Sequence, residues 1–207
     1  SLTELQIRLA EMGLKRFRAK QIFSWLYRKC VFDFSAMTNL SLAERDTLAE
    51  YFSILPGEII CLRQLDSADG LTQKLLLQLL DGNTIETVLM HHDYGYSVCV
   101  SSQVGCDMHC AFCASGLNGA VRNLTQTEIL AQVYFFNARL AAAGQRVSRV
   151  VVMGSGEPML NFDNVFGALQ FLHLPETANM SYRNMTVSTC GIIPGICLLY
   201  TSPSPRD

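Results

Sequence analysis

Charge is scarce in this chain. Only 16% of its 207 residues are Asp, Glu, Lys or Arg, and the net charge is −2 at neutral pH. So small an imbalance excludes a molecule that grips nucleic acid with its whole surface, and any such contact needs a local patch. Long apolar runs are missing too. No stretch reaches the roughly eighteen residues that a membrane-spanning helix requires. The opening residues lack the basic-then-apolar order of a secretory leader. No internal repeat is visible. What the chain has in quantity is apolar material, 49% of its residues, enough for one domain of ordinary size with a smaller appendage. It also has eight cysteines. A disulfide framework belongs to secreted and usually smaller chains. Reduced thiols in a cytoplasmic setting are the expectation here, and clustered thiolates then point to metal. The chain starts at Ser1, so a native start upstream of it is expected.

The texture changes along the chain. Residues 1 to about 50 read as helical: Leu5, Leu9 and Met12, then Ile22, Trp25 and Leu26, follow a helical period, with Gly13 between them. Ser41, with Glu44 three residues on, predicts a capped helix start. "EIICLRQLDS", "LTQKLLLQLLDG" and "NTIETVLMHH" are short, partly alternating runs parted by Asp-Gly pairs, which predicts a meander of strands. From about residue 94 strand and helix alternate. "YSVCVSS" reads as a strand, "EILAQVYFFNARLAAAG" as a helix capped by Thr125 and Glu128, "RVSRVVVMGSG" as a strand, "NFDNVFGALQFLHL" as a helix and "NMTVSTCG" as a third strand. Ile129, Val133, Phe136 and Leu140 line one helix face and Gly144 ends it. That alternation implies parallel pairing through crossovers. "CLLYTSPSPRD" sets Ser and Pro where a further helix should form. Three βα units cannot close an eight-stranded barrel, so the expectation is a chain cut short or ending in foreign sequence.

The chemistry concentrates in "CVSSQVGCDMHCAFCASG", residues 99–116. Cys106, Cys110 and Cys113 read C-x3-C-x2-C. Iron–sulfur clusters are held by Cys thiolates, usually four. Three ligands in one loop fit a cubane whose fourth iron stays open, and an open position on a metal is where chemistry happens. Gly105, Gly116 and Gly119 are expected to give the loop its unusual backbone angles, and Phe112 to shield the cluster from water. Zinc held by the same cysteines with His109 or a distant residue is an alternative, and a set of buried free cysteines is another.

The C-x3-C-x-aromatic-C loop after a first barrel strand resembles the radical S-adenosylmethionine (SAM) superfamily. Further words, "RNLT..EI..QV", "VVMGSGEPMLNFDNV", "MTVSTCGIIPGI" and, upstream, "FRAKQIFSWLY", are similar to the bacterial dual-specificity radical-SAM RNA adenine-C2 methyltransferases. The resemblance runs from about residue 14 to 196. It implies an α/β fold: a partial radical-SAM (β/α) barrel, its first three βα units, with a small N-terminal helical accessory domain and a β meander. The corresponding division is a helical accessory RNA-binding domain at 1–55, a linking meander at 56–93, the N-terminal half of the barrel at 94–196, and a tail outside the family pattern at 197–207.

Residue by residue, the resemblance implies that Cys106, Cys110 and Cys113 hold a [4Fe-4S] cluster. Gly156 and Glu157 match the motif for the SAM amino group, and Ser188 matches another SAM contact. There the methionyl amine and carboxylate chelate the open iron, and an electron from the cluster splits the sulfonium bond to a 5′-deoxyadenosyl radical. Cys99 matches a cysteine that resolves a protein–RNA adduct by pairing with a second, methyl-carrying cysteine. Glu86 matches a proton acceptor, although as a sequence it reads as an outward-facing strand residue. The methyl-carrying cysteine of the family falls beyond residue 207, so methyl transfer by this chain alone is not expected. The implied partners are 23S rRNA, tRNA and an electron donor such as flavodoxin, for a cytoplasmic monomer without membrane contact. Lys15, Arg16, Arg18, Lys20, Arg28 and Lys29, interleaved with Phe17, Phe23, Trp25 and Tyr27, are the candidate RNA patch. Two other functions stay open: methylation of adenine C8 by a relative of the same superfamily, and a non-catalytic zinc or iron–sulfur RNA-binding module.

Overall fold

The computed structural model describes residues 1–52, 54 and 59–201. Its first part is helical: α1 (Leu2–Glu11), α2 (Arg18–Phe23), a π-helical turn at Ser24–Arg28, and α3 (Leu42–Tyr51). Reciprocal capping boxes, Ser1 with Glu4 and Ser41 with Glu44, start α1 and α3, satisfying amides that a helix leaves without partners. Leu9, Ala19, Ile22, Phe34, Met37, Leu40 and Leu48 form a small core of their own.

The predicted meander forms as β1 (Ile60–Asp66), β2 (Thr72–Gln78) and β3 (Thr84–His92), with antiparallel pairing throughout. It is not a separate layer. β3 pairs antiparallel with β4 (Gly95–Val100), and β4 pairs in parallel with β7 (Val147–Val152), which pairs in parallel with β8 (Met185–Val187). One six-stranded sheet results, in the order β1-β2-β3-β4-β7-β8. The crossovers are α4 (Gln126–Ala141), capped by Thr125 and Glu128, and α5 (Phe162–His173). A two-stranded hairpin, β5 (Gln103–Gly105) with β6 (Ala120–Asn123), interrupts the first crossover and carries the cysteine loop between its strands.

Strand parity decides which side chains meet the helices. On β4, Val98 and Val100 are buried in the main core with Ile129, Val133, Phe136, Val150 and Val152. Cys99 therefore points to the opposite face of the sheet. Val88 is its cross-strand partner, so Glu86, two residues away on β3, shares that face. The N-terminal helices dock through an aromatic group in which Phe23, Tyr27 and Phe32 pack on Tyr134 and Phe171. Arg28 Nη2 donates to the carbonyl of Pro175 at 2.6 Å.

The last predicted break does not occur where expected. α6 spans Ile193–Thr201 and runs through "CLLYT". Gly195 explains its seat, because a β-carbon there would meet Met159 Cβ at 2.7 Å. The Ser/Pro run after residue 201 lies outside the described residues. Among the described residues no helix is long and apolar enough to cross a membrane.

Candidate active site

The ends of three adjacent parallel strands, β4, β7 and β8, all carry candidate residues. The cysteine loop leaves β4 by way of β5. Its base is closed by the Cys106 amide donating to the carbonyl of Gly119 at 3.2 Å. Asp107 Oδ1 accepts the Ala120 amide at 2.6 Å. Gly105 and Gly119 have φ of +76° and +69°, and a β-carbon on Gly105 would run into the Gly119 carbonyl oxygen. Gly116 differs from the expectation. It has no positive φ; it is buried in a 3₁₀ turn with a would-be β-carbon 3.3 Å from His109 Cα, so close approach is what calls for glycine there. His109 itself takes φ +47°.

Cys106 and Cys110 are half-buried and Cys113 is exposed. Hydrogen bonds from the Ser115 backbone and side chain hold the Cys113 thiol below its usual range, which favours the thiolate that binds iron. Phe112 does not cover the loop: its side chain stands 94% exposed.

The β7 turn is bound to the cysteine loop. Ser155 accepts from the Ser102 and Gln103 amides at 2.8 and 3.1 Å, its amide donates to Ser101 Oγ at 3.0 Å, and its hydroxyl meets Ser115 Oγ at 3.2 Å. A β-carbon on Gly154 would lie 2.6 Å from Ser101 Oγ, and one on Gly156 2.6 Å from Ser102 Oγ. Both glycines are thus required by contact. Gly156 also has φ +106°.

Glu157 is 3% exposed. Its Oε1 accepts from Thr189 Oγ1 at 2.6 Å and the Met159 amide at 3.0 Å. Its Oε2 accepts from the Cys190 amide at 2.8 Å and Cys190 Sγ at 2.9 Å. Burial pushes this carboxyl up, but the Cys190 and Thr189 donors outweigh it and hold the pKa below the usual range. Ser188, exposed at the end of β8, donates its amide to Val152 at 3.3 Å.

On the face that Cys99 shares, Glu86 is exposed and ion-paired to Lys74 Nζ at 2.7 Å. Cys99 is half-buried, and burial raises its thiol pKa against a small opposing effect of the Met153 backbone. Parity brings Glu86 and Cys99 to one face as a diagonal pair, a relation with a reach of about 7–8 Å. Sequence reasoning missed Lys74, Thr189 and Gln132. Gln132 is the only one with a visible signal: a polar residue inside the apolar run of α4. It is fully buried, accepts the Ser101 amide at 2.8 Å and donates to the Ser101 carbonyl at 3.0 Å.

The helical part carries the basic patch. Arg18 is engaged with Glu44 at 2.8 Å, with Gln21 and with the Asn39 carbonyl. Arg28 is held by Pro175, and Lys29 Nζ lies 3.4 Å over the Trp25 ring. Lys15, Arg16 and Lys20 are exposed around Phe17, itself 51% exposed. Phe23 is core, as expected of an aromatic in such a run.

Residues 1–54 match a family model described as the ribosomal RNA large subunit methyltransferase N-terminal domain, and residues 100–199 match the radical SAM superfamily. The probable dual-specificity RNA methyltransferase RlmN of Spiroplasma citri is 48% identical over 193 residues, 93% of this chain and 55% of that protein. The chain belongs to the RlmN family of radical SAM proteins. The RlmN relative from Symbiobacterium thermophilum is 48% identical over 95% of this chain and 52% of its own length. A crystal structure of a radical SAM methyltransferase from Sphaerobacter thermophilus superposes with a TM-score of 0.92 at 41% identity, covering 99% of this chain and 60% of that one. The chain thus spans about half the length of the curated RlmN relatives it matches.

Radical SAM membership implies a [4Fe-4S] cluster and SAM as cofactors. The residues present fit both. The three thiols stand on one preformed loop, and Ser115 hydrogen bonds favour thiolate at Cys113. Among the described residues no three His, Cys, Asp or Glu side chains crowd closely enough to share one ion. A cubane asks for something wider, since each thiolate takes an iron at its own corner. Among the described residues the Gly154 and Gly156 carbonyls accept no hydrogen bond, which leaves polar backbone for the amino group of SAM.

Proposed function

We propose that this chain carries the cluster- and SAM-binding half of a radical SAM methyltransferase that adds a methyl group to C2 of adenosine in 23S rRNA and tRNA. One observation carries the reading. Cys106, Cys110 and Cys113, the Gly156–Glu157 turn and Ser188 leave the ends of neighbouring parallel strands. Their loops are tied together by Ser155 and Glu157.

When bound, the cluster and SAM supply the radical chemistry needed at C2, an electron-poor carbon without a nucleophilic lone pair. The chain's own residues bind and orient. Cys106, Cys110 and Cys113 would hold the cluster as thiolates. Gly156 and Glu157 would form the amino-group side of the SAM site, and Ser188 would supply a further contact from the end of β8. Glu86 accepts a proton from the substrate, its carboxylate aimed by Lys74. Cys99, which burial keeps as a thiol, serves the release of product on the same face. Lys15, Arg16 and Lys20 offer phosphate contacts around Phe17. A flavodoxin-like electron donor, a monomeric state and a cytoplasmic setting complete the reading.

The test is anaerobic reconstitution with iron and sulfide, then SAM and dithionite. Formation of 5′-deoxyadenosine supports the reading. A colourless zinc-loaded chain that leaves SAM intact refutes it in favour of a binding module. For the longer family protein that contains this sequence, nucleoside mass spectrometry of treated RNA decides position: 2-methyladenosine supports the proposal and 8-methyladenosine overturns it.

A further inference from the structure

An ionised carboxylate offers about four lone-pair positions. In Glu157 all are occupied: Thr189 Oγ1 and the Met159 amide on Oε1, the Cys190 amide and thiol on Oε2. The group is 3% exposed, and its own amide is fixed on Gln103 Oε1 at 2.8 Å. Little of this carboxylate is left to meet a ligand. What it does hold is the segment just after Ser188. That serine is gripped on its upstream side by its amide bond to Val152 and on its downstream side by the two residues fastened to Glu157. Thr189 Oγ1 in turn accepts the Gly191 amide at 3.1 Å, so the turn is cross-braced within itself.

We propose that Glu157 serves SAM through the Thr189–Cys190 turn, as a latch that sets Ser188 in place. The Ser155 and Glu157 carbonyls are engaged by the Ser102, Gln103 and Leu160 amides, so the carbonyls of Gly154 and Gly156 are left to receive the methionyl ammonium. This rests on the SAM reading above and refines it: Glu157 is a positioning residue, and Thr189 is its partner. The latch joins two strand ends, β7 and β8, whose direct pairing covers only three residue pairs. Neutral donors neutralise none of the carboxylate's charge, so the charge and the latch are separable by mutation.

Thr189→Val is the deciding variant, because it removes a latch donor and leaves the Glu157 charge in place. Thr189→Ser restores the hydroxyl. Amide exchange of residues 185–191 in the cofactor-free chain reads the latch directly. Calorimetry with SAM on the cluster-reconstituted chain reads its effect. Thr189→Val is expected to speed exchange across 185–191 and to weaken SAM binding about tenfold or more, as for loss of a hydrogen bond to a charged group. Thr189→Ser is expected to restore both. Unchanged exchange in Thr189→Val overturns the latch. So does wild-type SAM affinity in Thr189→Val beside lost affinity in Glu157→Gln, which makes the carboxylate a direct ammonium partner. A wild-type chain that takes up the cluster yet binds no SAM overturns the underlying reading itself. If Thr189→Val fails to fold, Cys190→Ala, which removes only the thiol donor, carries the same comparison against Cys190→Ser.

Discussion

Gln132→Met isolates the anchor on which β4 ends. Gln132 is fully buried in α4 and closes a two-bond ring with the backbone of Ser101. Ser101 also donates its hydroxyl to the Glu86 carbonyl at 2.7 Å and accepts the Ser155 amide, and it packs against Gly154. Methionine nearly matches glutamine in length, so packing changes little. The amide and carbonyl of Ser101 lose their partners where no water reaches them, since Ser101 is itself fully buried. Each buried unpaired group costs about 1–3 kcal/mol, so the variant should lose about 2–5 kcal/mol. In a chain of this size that corresponds to a Tm lower by about 5–15 °C. Differential scanning calorimetry of the cluster-free chain measures it. Gln132→Glu keeps the acceptor for the Ser101 amide but sets a carboxylate oxygen against the Ser101 and Glu128 carbonyls in a dry site, so near neutral pH it should melt no higher than Gln132→Met. A Gln132→Met melt within about 1 °C of wild type would show that the ring contributes nothing, and the reasoning would fail.

Gly105→Ala should cost about 1–2 kcal/mol for the left-handed backbone alone and open the base of the cysteine loop through the clash with Gly119. Iron per chain after reconstitution should drop, and full loading would refute the role given to that glycine. Arg122→Ala removes the guanidinium that Glu128 takes at 2.7 and 2.9 Å and Asp81 at 2.6 Å, for a loss of about 1–2 kcal/mol after solvent screening. Burial pushes Glu128 up, but Arg122 and Thr125 hold it below the ordinary range. Its stabilisation is therefore full above the unfolded value of about 4.3 and lost as pH falls below it, and Arg122→Ala should flatten Tm against pH in that window. In the cluster-free chain iodoacetamide should label Cys113 before Cys190, although both are exposed. The Cys113 thiol is lowered, whereas the hydrogen bond to Glu157 pushes Cys190 up to about 11. Equal labelling rates by mass spectrometry would contradict the Glu157–Cys190 contact.

The fold was legible where a periodic signal coincided with a chemical marker. Ser41–Glu44 and Thr125–Glu128 announced their helices, and the Asp-Gly pairs placed the meander. The hairpin β5–β6 was not legible, because three- and four-residue strands are too short to show alternation. The cysteine spacing indicated the metal chemistry, but what holds the loop did not follow from spacing. The hold comes from glycine contacts and from Ser155, and both are long-range. Glu157 looked like a ligand-facing acid, and only its four donors reveal a buried one. Phe112 looked like a cover and faces solvent, since a residue beside a ligand in a tight turn need not point the same way. α6 formed despite the Ser and Pro that follow it because Gly195 lets it seat on Met159.

Because Cys106 and Gly119 already meet across the hairpin, the entropy of closing the loop that bears the sulfurs is met by the polypeptide rather than by iron. Assembly of the cubane then resembles filling a mould instead of folding a thread. Oxygen that strips the irons should leave the mould standing, so a bleached chain given fresh iron and sulfide can recover without first being unfolded.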